Sequence, residues 1–148
     1  MLSKLRRLAD LTFVEQGLLL QLAASSCALR ILLPTMALPR LVTLFSRAAT
    51  CPLLDRIPLL HARCPIDRLI MLIDTATAMS HGDARCLPRS LLLFWLLRAR
   101  QQPVSVCLGV STNQNLLEGH AWVEQTGVVL GDSLSFTNRY ALFVRLPG

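Results

Sequence analysis

Acidic and aromatic residues are both scarce in this sequence. Nine acidic side chains stand against fifteen basic ones in 148 residues, a formal charge of +6, and only 5% of the chain is Phe, Trp or Tyr. Fourteen of the fifteen cations are Arg, dispersed through apolar stretches without interleaved aromatics. A stacking platform for nucleic acid is therefore not indicated. With seven Gly and eight Pro, collagen-like and linker character are excluded. Long apolar runs are missing too, although 53% of the residues are hydrophobic and the mean hydropathy is +0.49. The longest early stretch free of charge, Gln16 to Leu29, has 14 residues and contains two Gln and two Ser. A bilayer-spanning helix needs about 20 apolar residues, so no transmembrane segment is expected.

Close cysteine pairs are absent as well. Cys27, Cys51, Cys64, Cys86 and Cys107 are 24, 13, 22 and 21 residues apart, which matches neither a zinc knuckle nor a redox pair. An odd count points to free thiols, most of them small core residues, with one available as a nucleophile. An export signal is a weaker reading of the N-terminus. Lys4, Arg6 and Arg7 precede an apolar run and Cys27 follows small residues, but Asp10 and Glu15 interrupt the core such a signal requires. A cytoplasmic location is expected.

A chain of this length typically buries roughly 70% of the surface it exposes when unfolded, enough for one domain spanning residues 1–148 without disulfides. Residues 1–80 read as helical: an apolar segment from Leu11 to Leu33, a short helix through Phe45 after Pro34 and Pro39, a Pro-rich connection from Ala48 to Pro65, and a helix from Asp67 to Met79. Residues 81–148 hold the stronger signals. Pro88 is tolerated only in a first helical turn, so a helix begins at Cys86 or Leu87. Leu91 to Leu97 is apolar on every side, which makes this the central, buried helix, and Pro103 ends it. Val104, Val106, Leu108 and Val110 then alternate as a strand, followed by strands at Gly119–Glu124, Val128–Gly131 and Ala141–Leu146. Helices first and an antiparallel sheet afterwards define an α+β fold.

Taking residues 125–127 as a three-residue hairpin loop pairs Glu124 with Val128 and places His120 opposite Asp132, with Cβ atoms about 5 Å apart. Such a carboxylate fixes the imidazole tautomer and leaves the other nitrogen as a base. Cys86 at a helix N-terminus, flanked by Arg85 and Arg89, is placed to have a lowered thiol pKa, and the amides there, its own included, suit an oxyanion. The three residues form a Cys–His–Asp acyl-transfer site with no cofactor. Against this stand a core cysteine, a satisfied histidine, Glu124 as a competing orienter, and a zinc site from His61, Cys64, His81 and Cys86.

The stretches RCLPRSLLLFWLLRARQQPVSVCLGV, from Arg85 to Val110, and GHAWVEQTGVVLGD, from Gly119 to Asp132, resemble the transglutaminase-like cysteine peptidases of lasso-peptide biosynthesis. The resemblance extends loosely from the N-terminal helices to Tyr140. It implies a transglutaminase-like or papain-like architecture, with Cys86 as nucleophile, His120 as general base and then acid, and Asp132 as its orienter, in a bacterial peptide-maturation pathway. The implied reaction is hydrolysis of the leader–core bond of a ribosomally made precursor peptide. It further implies a stand-alone peptidase, with no room for a fused leader-binding domain, that works with a small leader-recognition protein and passes its product to an ATP-dependent macrolactam synthetase. The family's usual Gly after the nucleophile helix is replaced by Gln101 and Gln102. Another transglutaminase-like acyl transferase and a non-catalytic interaction module, docking through its apolar helices, are the alternatives.

Overall fold

A computed structural model describes residues 11–49, 64–82, 85–113 and 116–147. Its elements follow the chain as α1 (Phe13–Leu32), α2 (Leu38–Ala49), α3 (Ile66–His81), α4 (Cys86–Ala99), β1 (Val104–Asn113), β2 (Leu116–Gln125), β3 (Val128–Leu130), α5 (Leu134–Thr137) and β4 (Ala141–Pro147). The fold is α+β, with the helices ahead of a four-stranded antiparallel sheet of order β3-β2-β1-β4. Most of the Pro-rich connection, including Cys51 and His61, lies outside the described residues.

Helix α1 opens with a capping box. The Glu15 amide donates to Thr12 Oγ1 at 3.3 Å and the Thr12 amide donates to Glu15 Oε2 at 2.8 Å, so two amides left over at the helix start are satisfied reciprocally. Glu15 also accepts from Arg68 Nε of α3 at 2.7 Å. Farther along, Leu18, Leu22, Ser26 and Leu29 recur at helical spacing and are buried. Ser26 and Ser80 join their hydroxyls at 2.6 Å, which closes the α1–α3 pair at its other end.

Helix α4 holds the structure together. Leu91, Leu92, Leu93, Phe94, Leu96 and Leu97 are all at most 1% exposed, because the helix is covered on several sides by α1, α2, α3, β1 and β2. Each such side chain contributes about 2 kcal/mol on burial. The helix ends in a Schellman arrangement, in which the Gln102 amide donates to Leu97 O at 3.0 Å and Gln101 adopts φ +58°. Gln101 thus occupies the left-handed position that Gly usually fills at a helix end.

The hairpin differs from the expected one. Gln125 pairs with Val128 across a two-residue turn, in which Thr126 (φ +47°) and Gly127 (φ +84°) both take the left-handed conformation of a type I′ turn. The whole ladder is therefore shifted by one residue: Glu124 faces Val129, Val123 faces Leu130, and β3 ends there. His120 and Asp132 are not strand partners. Asp132 lies just past β3, after the turn at Gly131 (φ +78°).

Candidate active site

Cys86 is the first residue of α4, His120 lies in β2 and Asp132 follows β3, and the fold brings the three together although the expected His120–Asp132 ladder pairing does not form. His120 Nε2 is 3.2 Å from Asp132 Oδ2. That contact occupies Nε2 and leaves Nδ1 open, and the Cys86 thiol lines the same cleft, where it and the imidazole each shift the other's titration. Cys86 is half-buried, as the first residue of a helix facing a cleft.

The shortness of β3 explains how the thiol reaches the sheet. Pairing between β2 and β3 stops at Val123, so Ala121, the next residue facing that edge, has no strand partner there. Helix α4 takes the missing strand's place. The Ala121 carbonyl accepts from Ser90 Oγ at 2.9 Å, and the Ala121 amide helps to lower the Cys86 thiol. Cys86 and Ser90 are four residues apart and thus share one face of the helix. The buried Ser90 hydroxyl therefore fixes α4 against the strand residue that follows His120.

The electrostatics favour a thiolate–imidazolium pair. His120 is raised to about 9, first by the Asp132 hydrogen bond and then by Cys86. Cys86 is lowered, chiefly by the His120 hydrogen bond, with backbone amides of Ala121 and Leu87 assisting against burial. Neither Arg85 nor Arg89 is among the causes, which corrects the expectation that they depress the thiol. The Arg89 guanidinium is directed instead at Asp74, Asp132 and the Gly131 carbonyl. In contrast, burial raises the thiols of Cys64 and Cys107.

An aromatic floor surrounds His120. Its ring centroid is 6.1 Å from Trp122 in a nearly parallel arrangement and 5.1 Å from Tyr140 at a tilt of 31°, and Phe136 meets it edge-on at 5.0 Å. A stacked aromatic face about 6 Å away favours a cationic imidazole. Gly109, the strand partner of His120, makes room for them: a Cβ there would lie 2.8 Å from Tyr140 Cβ and 2.9 Å from the Trp122 ring. Glu124, the competing orienter, accepts from Trp122 Nε1 at 2.9 Å and from Arg145 Nη2 at 2.7 Å. The sequence reading did not single out Ser90, Gly109 or Phe136, because their roles depend on neighbours distant in sequence.

Cys86, His120 and Asp132 line a cleft of about 1060 Å³ whose opposite wall is one face of α3, including Ile70, Met71, Asp74, Thr75 and Met79. Among the described residues, no three His, Cys, Asp or Glu side chains are grouped to hold a metal ion. Of the weighed zinc ligands, His81 gives Nε2 to the Ser26 carbonyl at 2.9 Å, and His61 lies outside the described residues. No helix among the described residues is long and apolar enough to cross a membrane.

A family model of the transglutaminase-like superfamily matches residues 28–145, a span that includes α4, β1 to β3, most of β4 and all three site residues. The chain belongs to the transglutaminase-like superfamily. This superfamily includes cysteine peptidases and acyl transferases. No curated protein and no solved structure matches the chain. Within the superfamily, this chain's α4, β2 and post-β3 turn supply the thiol, the imidazole and the carboxylate.

Proposed function

We propose that this transglutaminase-like protein is a cysteine peptidase that hydrolyses the bond between leader and core of a lasso-peptide precursor, with Cys86 as nucleophile, His120 as acid and base, and Asp132 as orienter. The observation that carries the proposal is the Asp132–His120 hydrogen bond in the same open cleft that Cys86 lines, with the thiol lowered by the imidazole. A polypeptide fits that cleft. From Ile70 to Met79 the α3 side of the cleft runs ten residues of helix, nine steps of about 1.5 Å or about 14 Å, which is roughly four residues of extended peptide.

In this mechanism the Cys86 thiolate attacks the scissile carbonyl carbon, and the carbonyl oxygen becomes an oxyanion beside the Cys86 amide, one of the helix-start donors without an intrahelical acceptor. The C–N bond breaks as the His120 imidazolium gives its proton to the departing amine, leaving a thioester on Cys86. His120, now neutral, takes a proton from water as the water adds to the thioester carbonyl. Cleavage of the C–S bond releases the acid and restores the ion pair.

The proposed partners are the small leader-recognition protein and, downstream, the ATP-dependent macrolactam synthetase. Phe13, Leu20 and Ile31 on α1 are each more than two-thirds exposed, which supports a docking role for the N-terminal helices. The test is incubation of the purified protein with precursor peptide and recognition protein, followed by intact mass measurement. The expected products are leader and core, whose masses sum to the precursor plus one water; an intact precursor overturns the peptidase reading. An amine-capped product in place of the acid indicates the acyl-transferase alternative.

A further inference from the structure

Arg89 faces the cleft one turn after Cys86, and its guanidinium is used on every side. Nε donates to Asp74 Oδ1 of α3, Nη2 donates to the Gly131 carbonyl at 2.6 Å, and Nη1 lies 3.3 Å from Asp132 Oδ1. The side chains of Arg89 and Asp132 are 12% and 17% exposed, so their contact is largely shielded from water, whereas Asp74, at 44%, meets solvent. Asp132 therefore has one carboxylate oxygen on Arg89 and the other on His120. Gly131 admits this approach. It has φ +78°, and a Cβ there would sit 2.9 Å from Arg89 Nη2.

We propose that Arg89 is the positioning residue of the triad: braced by Asp74, its planar fork clamps Gly131 and Asp132 so that Oδ2 is presented to His120. Asp132 needs such a clamp because it lies beyond the last strand pair, where no ladder hydrogen bond fixes its direction. Ser90, the next residue along α4, anchors the strand beside His120. One helix thus carries the nucleophile and holds the strand and the turn that bear the other two residues. A lysine cannot replace this arrangement, since one ammonium on a flexible stem lacks the planar fork that spans three acceptors.

The proposal rests on the Cys86–His120–Asp132 reading above, and its test needs no peptide substrate. The charged and titratable groups around the Cys86–His120 pair are Arg85 and Arg89 at α4, Asp67 and Asp74 on α3, Asp132 after β3 and Tyr140 before β4. Alkylation of Cys86 by iodoacetamide, read by peptide-resolved mass spectrometry across pH, reports the thiolate. In Arg89→Lys the profile is expected to move about one unit toward the ordinary thiol value, a roughly tenfold slower reaction on the acidic limb. Asp74→Asn is expected to fall between this variant and wild type. In an Asp132→Asn background, Arg89→Lys adds less than about twofold, because the two residues act through one contact.

A wild-type Cys86 profile centred on an ordinary thiol overturns the triad reading and this proposal with it. A lowered wild-type profile that Arg89→Lys leaves in place overturns the proposal alone, as the charge is then sufficient without the fork. Independent, multiplicative effects of Arg89→Lys and Asp132→Asn also overturn it.

Discussion

His120 Nε2 stands 3.2 Å from Asp132 Oδ2 although neither residue is the other's strand partner. The contact forms because β3 stops at Leu130 and the chain turns through Gly131, which returns the carboxylate to the imidazole. A hydrogen-bonded anion stabilises the imidazolium, and the imidazolium in turn stabilises the Cys86 thiolate.

A bell-shaped pH dependence of peptide hydrolysis is the first consequence. On the acidic side, activity rises as Cys86 loses its proton below the ordinary thiol value of 9.0, since its pKa is lowered. On the alkaline side it falls near pH 9, where His120, raised to about 9, loses the proton that the departing amine needs. Initial rates between pH 5 and 10 check this. A single limb rising to pH 10 would mean that the two groups do not form an ion pair.

Substitutions in the site should be graded. His120→Ala removes the proton carrier and is expected to lower kcat by about 10³-fold, whereas Asp132→Asn, which keeps the ring in place, is expected to cost about 10²-fold. Glu124→Gln should leave kcat within about twofold, because Glu124 serves Trp122 and Arg145 rather than His120. Steady-state kinetics of the three variants provide the comparison.

Gly109→Ala tests the aromatic floor. The added methyl would overlap Tyr140 and Trp122 beneath His120, so overpacking should cost about 1–3 kcal/mol of stability. The expected signature is a lowered Tm together with a reduced kcat. Unchanged kcat would show that the rings are not required in their observed positions.

Gln101→Gly addresses the helix end. A non-Gly residue in the left-handed region costs about 1–2 kcal/mol, part of which Gly regains in conformational freedom when unfolded, so a net stabilisation of about 1 kcal/mol is expected. Gln101 lies at the opposite end of α4 from Cys86, so thermal melts should shift upward while activity stays the same.

The α1–α3 pair has its own acid sensitivity. Glu15 is held at about 2 against an ordinary 4.5, first by the Arg68 hydrogen bond and then by the Thr12 amide. Its lowered pKa means that this contribution is full above about 4.5 and fades as pH falls toward 2. Acid unfolding of Glu15→Gln should therefore lose the part of the transition in that window that wild type shows.

Helix α4 was legible in the sequence because Pro88 and the run Leu91–Leu97 are local constraints, each with one structural solution. The alternation in β1 and the Gly127 turn likewise revealed the sheet. The hairpin register was not legible, since Thr126 at positive φ shortens the loop by one residue and nothing in its side chain signals this. Arg89 was read as a neighbour of the thiol by sequence proximity, but its partners Asp74 and Asp132 are 15 and 43 residues away and meet it only in the folded state. The Thr12–Glu15 capping box, by contrast, is a local signal carried by four consecutive residues.

The most direct test of the central claim compares the thiols of the folded wild-type protein with iodoacetamide at neutral pH. Cys86 is expected to react well ahead of Cys64 and Cys107, whose thiols burial raises, with a midpoint below 9 that moves upward in His120→Ala. A Cys86 that reacts no faster than the other cysteines, or whose midpoint is indifferent to His120, would contradict the account.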